Sequence, residues 1–205
     1  MMNNIFSFNR LFLVLKRDLA DGWKKHLLLA LGLFSGMLIV FMISSIDGYS
    51  DVSLVNRVDE QFVQQLNRKH VYYAAWMFIL AFIAYVSMMM EPMKGKKRRI
   101  QYLMLPASVF EKYLSRLLQY TVGFLIVFLI SFFLMDLVRV AICSVLYPEI
   151  DIHFIDLGTL IGDDKSMFRD LPRFWIGVSD LLLVLSLATL GTTFWQKNAF
   201  AKNLA

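Results

Sequence analysis

Cysteine occurs once in the 205 residues, as Cys143. A lone thiol excludes an intrachain disulfide and a cysteine-based metal cluster. Histidine is nearly as scarce. His26, His70 and His153 lie far apart, and no His-Glu-x-x-His helix is present to hold a zinc ion. A phosphate-cradling Gly-x4-Gly-Lys-Ser/Thr loop is also missing: at the only Gly-Lys pair, Gly95 and Lys96, Met90 stands for the first glycine and Lys97 for the hydroxyl residue. No nucleotide hydrolysis is therefore expected of this chain. The serine-hydrolase elbow fails in the same way, because Gly158 and Gly162 enclose Thr159, Leu160 and Ile161. Charge is scarce too, at 18% of residues. With no catalytic constellation in view, the expectation is a protein that is not an enzyme and carries neither cofactor nor metal.

What fills the chain is apolar: 58% of residues are hydrophobic and mean hydropathy is +0.58, outside the usual range of a soluble globular domain. The apolar residues gather into continuous blocks of about 20, the length a helix needs to cross a hydrocarbon core of about 30 Å. Continuous blocks exclude an outer-membrane barrel, whose strands alternate over about ten residues. The expected fold is all-α, a polytopic helical membrane protein forming one transmembrane domain over 1–205.

Residues 5–25 pattern as an interfacial amphipathic helix, with Phe8, Leu11, Phe12, Val14, Leu15 and Leu19 on a broad apolar face. Arg10, Arg17, Asp21 and Lys24 fall on the other face, and Trp23, Lys24 and Lys25 are anchors suited to the headgroup level. Four spans follow, at about 27–46, 71–90, 117–138 and 174–195. Gly32 and Gly36 in the first form a Gly-x-x-x-Gly pair, read either as a helix-packing face or as glycine tolerated in an apolar helix. The polar stretch from Asp47 to His70 has helix-like spacing and is expected as a short extramembrane helix. Asp136 and Arg139, three apart near the far end of the third span, share a face and are placed to pair. Asp180 is an intramembrane carboxylate if the fourth span begins at Phe174; if the span starts three residues later, Asp180 lies at the interface.

Lysine and arginine set the orientation. Fourteen fall on the side holding both termini and the loop after the second span, and seven on the other. The excess assigns the first side to the cytoplasm. Two groups suggest metal chemistry. Asp151, His153 and Asp156 cluster in the outer acidic loop, where solvated side chains are the ordinary reading. Met88, Met89, Met90 and Met93 are soft sulfur donors, but methionine at a helix end more often fills gaps between helices.

The loop at 93–116 concentrates the remaining information. Lys94, Lys96, Lys97, Arg98 and Arg99 make the densest positive run in the chain. Pro106 ends whatever precedes it, and Ser108 followed by Glu111 is a capping box for a helix that continues through Lys112 and Arg116 into the third span. This loop resembles that of the membrane (permease) subunits of type-2 ABC transporters. There, a charged segment and a short leucine-rich helix precede a Leu-Pro-x-Ser turn and a helix with a basic residue. Here those are Lys96 to Arg99, Ile100 to Met104, Leu105 to Ser108, and Glu111, Lys112 and Arg116. The amphipathic helix before the first span resembles that family's elbow helix.

The resemblance implies an exporter subunit of a bacterial inner membrane that docks a separate ATP-binding subunit. Its ATPase-coupling residues would be Arg98, Arg99, Ile100, Tyr102, Leu103, Leu105, Pro106, Ser108, Glu111, Lys112 and Arg116. It further implies a homo- or heterodimer of permease subunits, with membrane lipid and no nucleic acid as other partners. The sequence departs from the pattern at Arg99 to Leu103, which lack the family's acidic residue. Four spans are also read where six are common, which implies a shortened form, a fragment or a different assembly. Without the resemblance, the same features fit a membrane interaction or scaffold protein whose basic run binds anionic lipid.

Overall fold

A computed structural model describes residues 6–55, 60–90, 95–156 and 171–194. Among these the chain is helical, with no strand. The elements are α1 (Phe8–Val55), α2 (Glu60–Val86), α3 (Lys96–Leu103), α4 (Val109–Leu118), a π-helical turn (Gln119–Gly123), α5 (Phe124–Leu146) and α6 (Leu171–Phe194). Three helical stretches are long and apolar enough to cross a membrane: Phe8–Ser50, Gln64–Val86, and Val109–Leu146 through the π turn. The apolar part of α6, Trp175–Leu187, is shorter.

Helix α1 joins segments that the sequence suggests are separate. Its 48 residues run through the expected interfacial helix, the first span and part of the following polar stretch. At 1.5 Å per residue it is about 70 Å long, more than twice the apolar thickness of a bilayer. No proline interrupts it, and the leucines after His26 are good helix formers, so nothing local ends the helix where its charges end. The rest of the polar stretch is taken up by the first turns of α2, and residues 56–59 lie outside the described residues.

The surface is the reverse of a water-soluble protein's. Leu28, Leu31, Ile39, Ile43, Phe133 and Leu137 are all more than half exposed, whereas Asp18, His70, Glu111, Lys112, Asp136 and Arg139 are buried. Apolar residues that face outward over whole helices, with charges paired inside, suit hydrocarbon as solvent.

Packing divides the chain into two compact units. The first draws on 1–28, 81–127 and 181–205. Its centre is aromatic: the Tyr85 ring lies 4.5 Å from Tyr120 and 5.4 Å from Phe124, and Phe82 lies 5.6 Å from Phe124. The π turn buries Gln119 and Tyr120 on this side, and the Thr121 hydroxyl donates to the Leu117 carbonyl at 2.6 Å. A hydroxyl bonded back one turn and a widened turn both re-aim neighbouring side chains.

The second unit draws on 29–80 and 128–180. Phe41 stacks on His70 at 5.3 Å, and Ser45 shares a 3.2 Å hydrogen bond with His70 Nε2. Tyr49, Leu66, Cys143 and Ile150 form an apolar cluster beside them. Close approach of α1 and α2 falls at Gly48, where a methyl group would stand 3.0 Å from a Leu66 methyl. At Gly36 a methyl would meet the end of Met77 at 3.6 Å, and at Gly32 it would meet nothing within 4 Å among the described residues.

The pairing read between Asp136 and Arg139 is present and buried. The Arg139 guanidinium contacts Asp136 at 2.7 and 2.8 Å and donates to the His153 carbonyl at 2.9 Å. The other Asp136 oxygen accepts the Ile155 N–H at 2.8 Å. Asn67 brackets the next peptide, accepting from Asp156 N at 2.9 Å and donating to Asp156 O at 3.1 Å. These bonds pin segment 151–156 onto α2 and α5.

Candidate functional site at the basic loop

The basic loop lies within the first unit, and its two halves do different work. Helix α3 has eight residues and buries none of them. Arg98, Arg99, Ile100 and Leu103 are exposed, as are Met104 and Pro106 beyond its end. A helix this short is marginal alone, so its order depends on what holds its C-terminal end. Tyr102 and Lys112 hold it. The Tyr102 hydroxyl donates to the Lys112 carbonyl at 3.1 Å, and the Lys112 ammonium donates to the Leu103 carbonyl at 3.0 Å. The second bond places a cation on an orphan carbonyl at a helix C-terminus, where the helix dipole favours it. The Tyr102 ring also lies 5.9 Å from the Lys112 ammonium and 5.4 Å from the Arg116 guanidinium, within reach of cation–π attraction. Burial pushes the Tyr102 hydroxyl above its ordinary pKa, against an opposing pull from Arg116.

The turn closes through Leu105 and Ala107. The Ala107 N–H donates to the Leu105 carbonyl at 2.8 Å, and Pro106 between them has no N–H to place. Ser108 then starts α4 in extended backbone, and the capping box read from the sequence is formed. The Ser108 hydroxyl accepts the Glu111 N–H at 3.1 Å, while the Glu111 carboxylate accepts the Ser108 N–H at 2.8 Å. Glu111 does more than cap, because its other oxygen accepts the Ser7 N–H at 2.6 Å and pairs with Arg10 at 3.2 Å. It thereby ties the start of α1 to the start of α4. One turn on, Arg116 grips Asp18 of α1 at 3.0 and 3.2 Å, with the Ser115 hydroxyl 3.5 Å away.

The candidate coupling residues therefore separate by direction. Arg98, Arg99, Ile100 and Leu103 face outward. Tyr102, Ser108, Glu111, Lys112 and Arg116 are fasteners that fix the loop to α1 and α4, and Leu105 is half-buried in the turn. Met93 and Lys94 lie outside the described residues. The outward half presents guanidinium groups beside apolar side chains, a pattern suited to contact with another molecule.

Sequence reasoning missed Asp18, His26, Tyr85 and Gln119. Leu11, Val14 and Asp18 are buried at helical spacing, so Asp18 is a carboxylate on the apolar stripe of α1. That position was a readable signal. His26 sits between the Tyr85 hydroxyl at 2.6 Å and the Gln119 amide at 2.6 Å. Its partners are 59 and 93 residues away, and nothing local announces them.

The other candidates stand apart from the loop. Asp180 is exposed on α6. His153 and Asp151 approach at 3.5 Å, both largely exposed, and Asp156 is exposed with its backbone held by Asn67. No group of three or more His, Cys, Asp or Glu side chains is arranged for a metal ion among the described residues. Of the methionine group, Met89 is buried, Met88 is exposed and Met93 falls outside the described residues.

Comparison of the chain with protein-family models, curated proteins and solved structures finds no match in any of the three. The fold itself defines the class: an all-α chain with three helices able to span a membrane and an ordered basic loop.

Proposed function

We propose that this chain is a membrane permease subunit of an ABC-type exporter, driven by a separate ATPase that docks on the 93–116 loop. The observation that carries this reading is α3: a short helix with no buried residue, held from behind by Tyr102 and Lys112, that offers arginine and apolar side chains outward. A loop that only fixed topology would need its charges and no such fastening. In this reading α6 is a fourth span, both termini and the loop face the cytoplasm of a bacterial inner membrane, and two permease subunits form the transport path. Gly32, where a methyl group would meet nothing within 4 Å among the described residues, suits the face between them.

The test is capture of the tagged, intact chain from its native membranes, followed by identification of what co-elutes. An ATPase bearing a phosphate-binding loop is expected with the intact chain. Changing Arg98, Arg99 and Tyr102 to Ala is expected to release it. If the order of residues 100–108 can be scrambled at constant charge without losing the partner, the coupling reading is wrong.

A further inference from the structure

The first unit contains a cavity of about 390 Å³ between α1, α3, α4 and the π turn, within the size range of small-ligand sites. We infer that it binds a neutral polyhydroxylated group and that the sugar headgroup of an uncharged glycolipid is its natural occupant. The inference stands on the wall of the cavity and on its depth along the helices, not on an ATPase partner, so the two proposals fail separately.

Charge is the first argument. Asp18 pairs with Arg116 at 3.0 Å, and Asp21 with Arg17 at 3.5 Å. The other two cations of the wall, Lys25 and Arg98, have partners of their own. Every acid and base that lines the cavity is thus engaged, so an ionic ligand would have to compete with an existing partner, whereas a neutral one need not. Engaged groups still have bonding capacity to share. A carboxylate has about four lone-pair sites and a guanidinium five N–H donors, more than one ion pair uses. The wall therefore offers acceptors and donors together, and a hydroxyl group answers both because it can donate and accept.

The second argument is a buried acceptor that lacks a donor. Gln119 lines the cavity at 3% exposure, and its Oε1 has no hydrogen-bond partner among the described residues. Its Nε2, which can only donate, meets His26 Nε2 at 2.6 Å. His26 then carries its proton on Nδ1, which meets the Tyr85 hydroxyl at 2.6 Å. This relay holds the amide by its nitrogen and leaves the oxygen to be satisfied by an incoming O–H. Gly22 makes room beside it, because a methyl group there would stand 2.8 Å from His26 Nε2. Tyr102 and Tyr120 add aromatic surface to the wall. The face of an aromatic ring is negative, and the weakly positive C–H groups of a sugar ring pack against it.

Depth is the third argument and names the source. Lys25 and His26 immediately precede the charge-free run that begins at Leu27, and Arg116 immediately precedes the one that begins at Leu117. Both helices thus change from charged to uncharged at the cavity. Trp23 is exposed one residue from Gly22, with the Lys24 ammonium 5.8 Å from its ring. This is headgroup level, so the sugar is expected on a lipid whose chains lie along the uncharged runs.

The experiment uses the purified full chain in phosphocholine micelles, whose headgroup has no O–H. It titrates the chain with a short-chain monoglucosyl diacylglycerol and with phosphatidylcholine of the same chain length, then adds methyl glucoside or inorganic phosphate as competitor. The glucosyl lipid is expected to bind at least about tenfold more tightly than phosphatidylcholine, as one or two further hydrogen bonds allow. Q119M deletes the acceptor and is expected to cost roughly tenfold. Q119E keeps an acceptor oxygen and is expected to stay within about threefold of the native chain. Asp21 is an exposed side chain whose replacement leaves the core intact, and D21A is expected to weaken the glucosyl lipid by about threefold or more. K16A, outside the cavity, is expected to leave binding unchanged. Glucosyl-lipid binding that millimolar methyl glucoside leaves in place assigns the site to lipid; displacement supports the sugar site but overturns its assignment to lipid. Displacement by millimolar phosphate overturns the neutral chemistry. Equal affinity for the two lipids overturns the inference and leaves the cavity to water, as does a folded Q119M chain that binds like the native one, or equal effects of D21A and K16A.

Discussion

Replacing Asp136 with Asn should be among the most damaging single changes in the described residues. Arg139 and Asp136 are 1% and 2% exposed, so neither charge has water to fall back on. The substitution keeps the shape of the side chain but leaves the guanidinium uncompensated, and breaking a buried pair from one side costs about 3–5 kcal/mol. Against a typical total stability of about 5–15 kcal/mol, that is a large fraction. The Ile155 N–H, which donates to the second carboxylate oxygen, also loses its anionic acceptor, so segment 151–156 should loosen with it. A paired replacement, D136L/R139M, removes both charges and should cost less than the sum of the single changes. It still orphans the Ile155 N–H and the His153 carbonyl, at about 1–3 kcal/mol each. Chemical unfolding in micelles measures the first quantity, and hydrogen exchange at Ile155 the second. If D136N costs less than about 1 kcal/mol and leaves Ile155 exchange unchanged, the clamp described here does not hold that segment.

The loop yields smaller and more local effects. Ser108→Ala removes the cap of α4 and should cost about 1 kcal/mol, read from unfolding in micelles. Tyr102→Phe deletes one hydrogen bond to the Lys112 carbonyl, worth about 1 kcal/mol. Because burial raises the Tyr102 pKa above 10.0 in the folded chain, the neutral hydroxyl is favoured by folding. The difference between the native chain and Tyr102→Phe should therefore be full below about pH 10 and shrink as pH rises beyond it; a stability series against pH checks this. Ile100→Asp and Leu103→Asp change exposed side chains on a helix that buries nothing, so stability should move by less than about 0.5 kcal/mol. Retention of a docked partner, measured by pull-down at fixed concentration, should fall more than about tenfold.

What could be read from the sequence follows the distance over which each feature is encoded. The apolar runs behind the three helices long enough to cross a membrane are continuous and need no partner to be seen. The Ser108–Glu111 box and the Asp136–Arg139 pair each lie three residues apart, so helix geometry alone brings their members together. The continuity of α1 was hidden because polar residues at its ends suggested a boundary that only a proline or a cap would enforce. Arg116 and Asp18 are 98 residues apart, and His26 meets Tyr85 and Gln119 only after three helices pack. The π turn carries no sequence signature. Glu111 shows both cases: its bond to Ser108 was legible, whereas its bonds to Ser7 and Arg10 depend on the tertiary fold.

The basic loop and its proposed ATPase partner are the centre of the account, and one measurement bears on them most directly. The intact chain, captured from its native membranes, should carry a stoichiometric ATP-hydrolysing subunit, and the eluate should turn over ATP. The same capture with Arg98, Arg99 and Tyr102 changed to Ala should lose both the subunit and the turnover while the chain itself remains folded. Recovery of the intact chain with no nucleotide-hydrolysing partner, or equal turnover from the altered one, would contradict it.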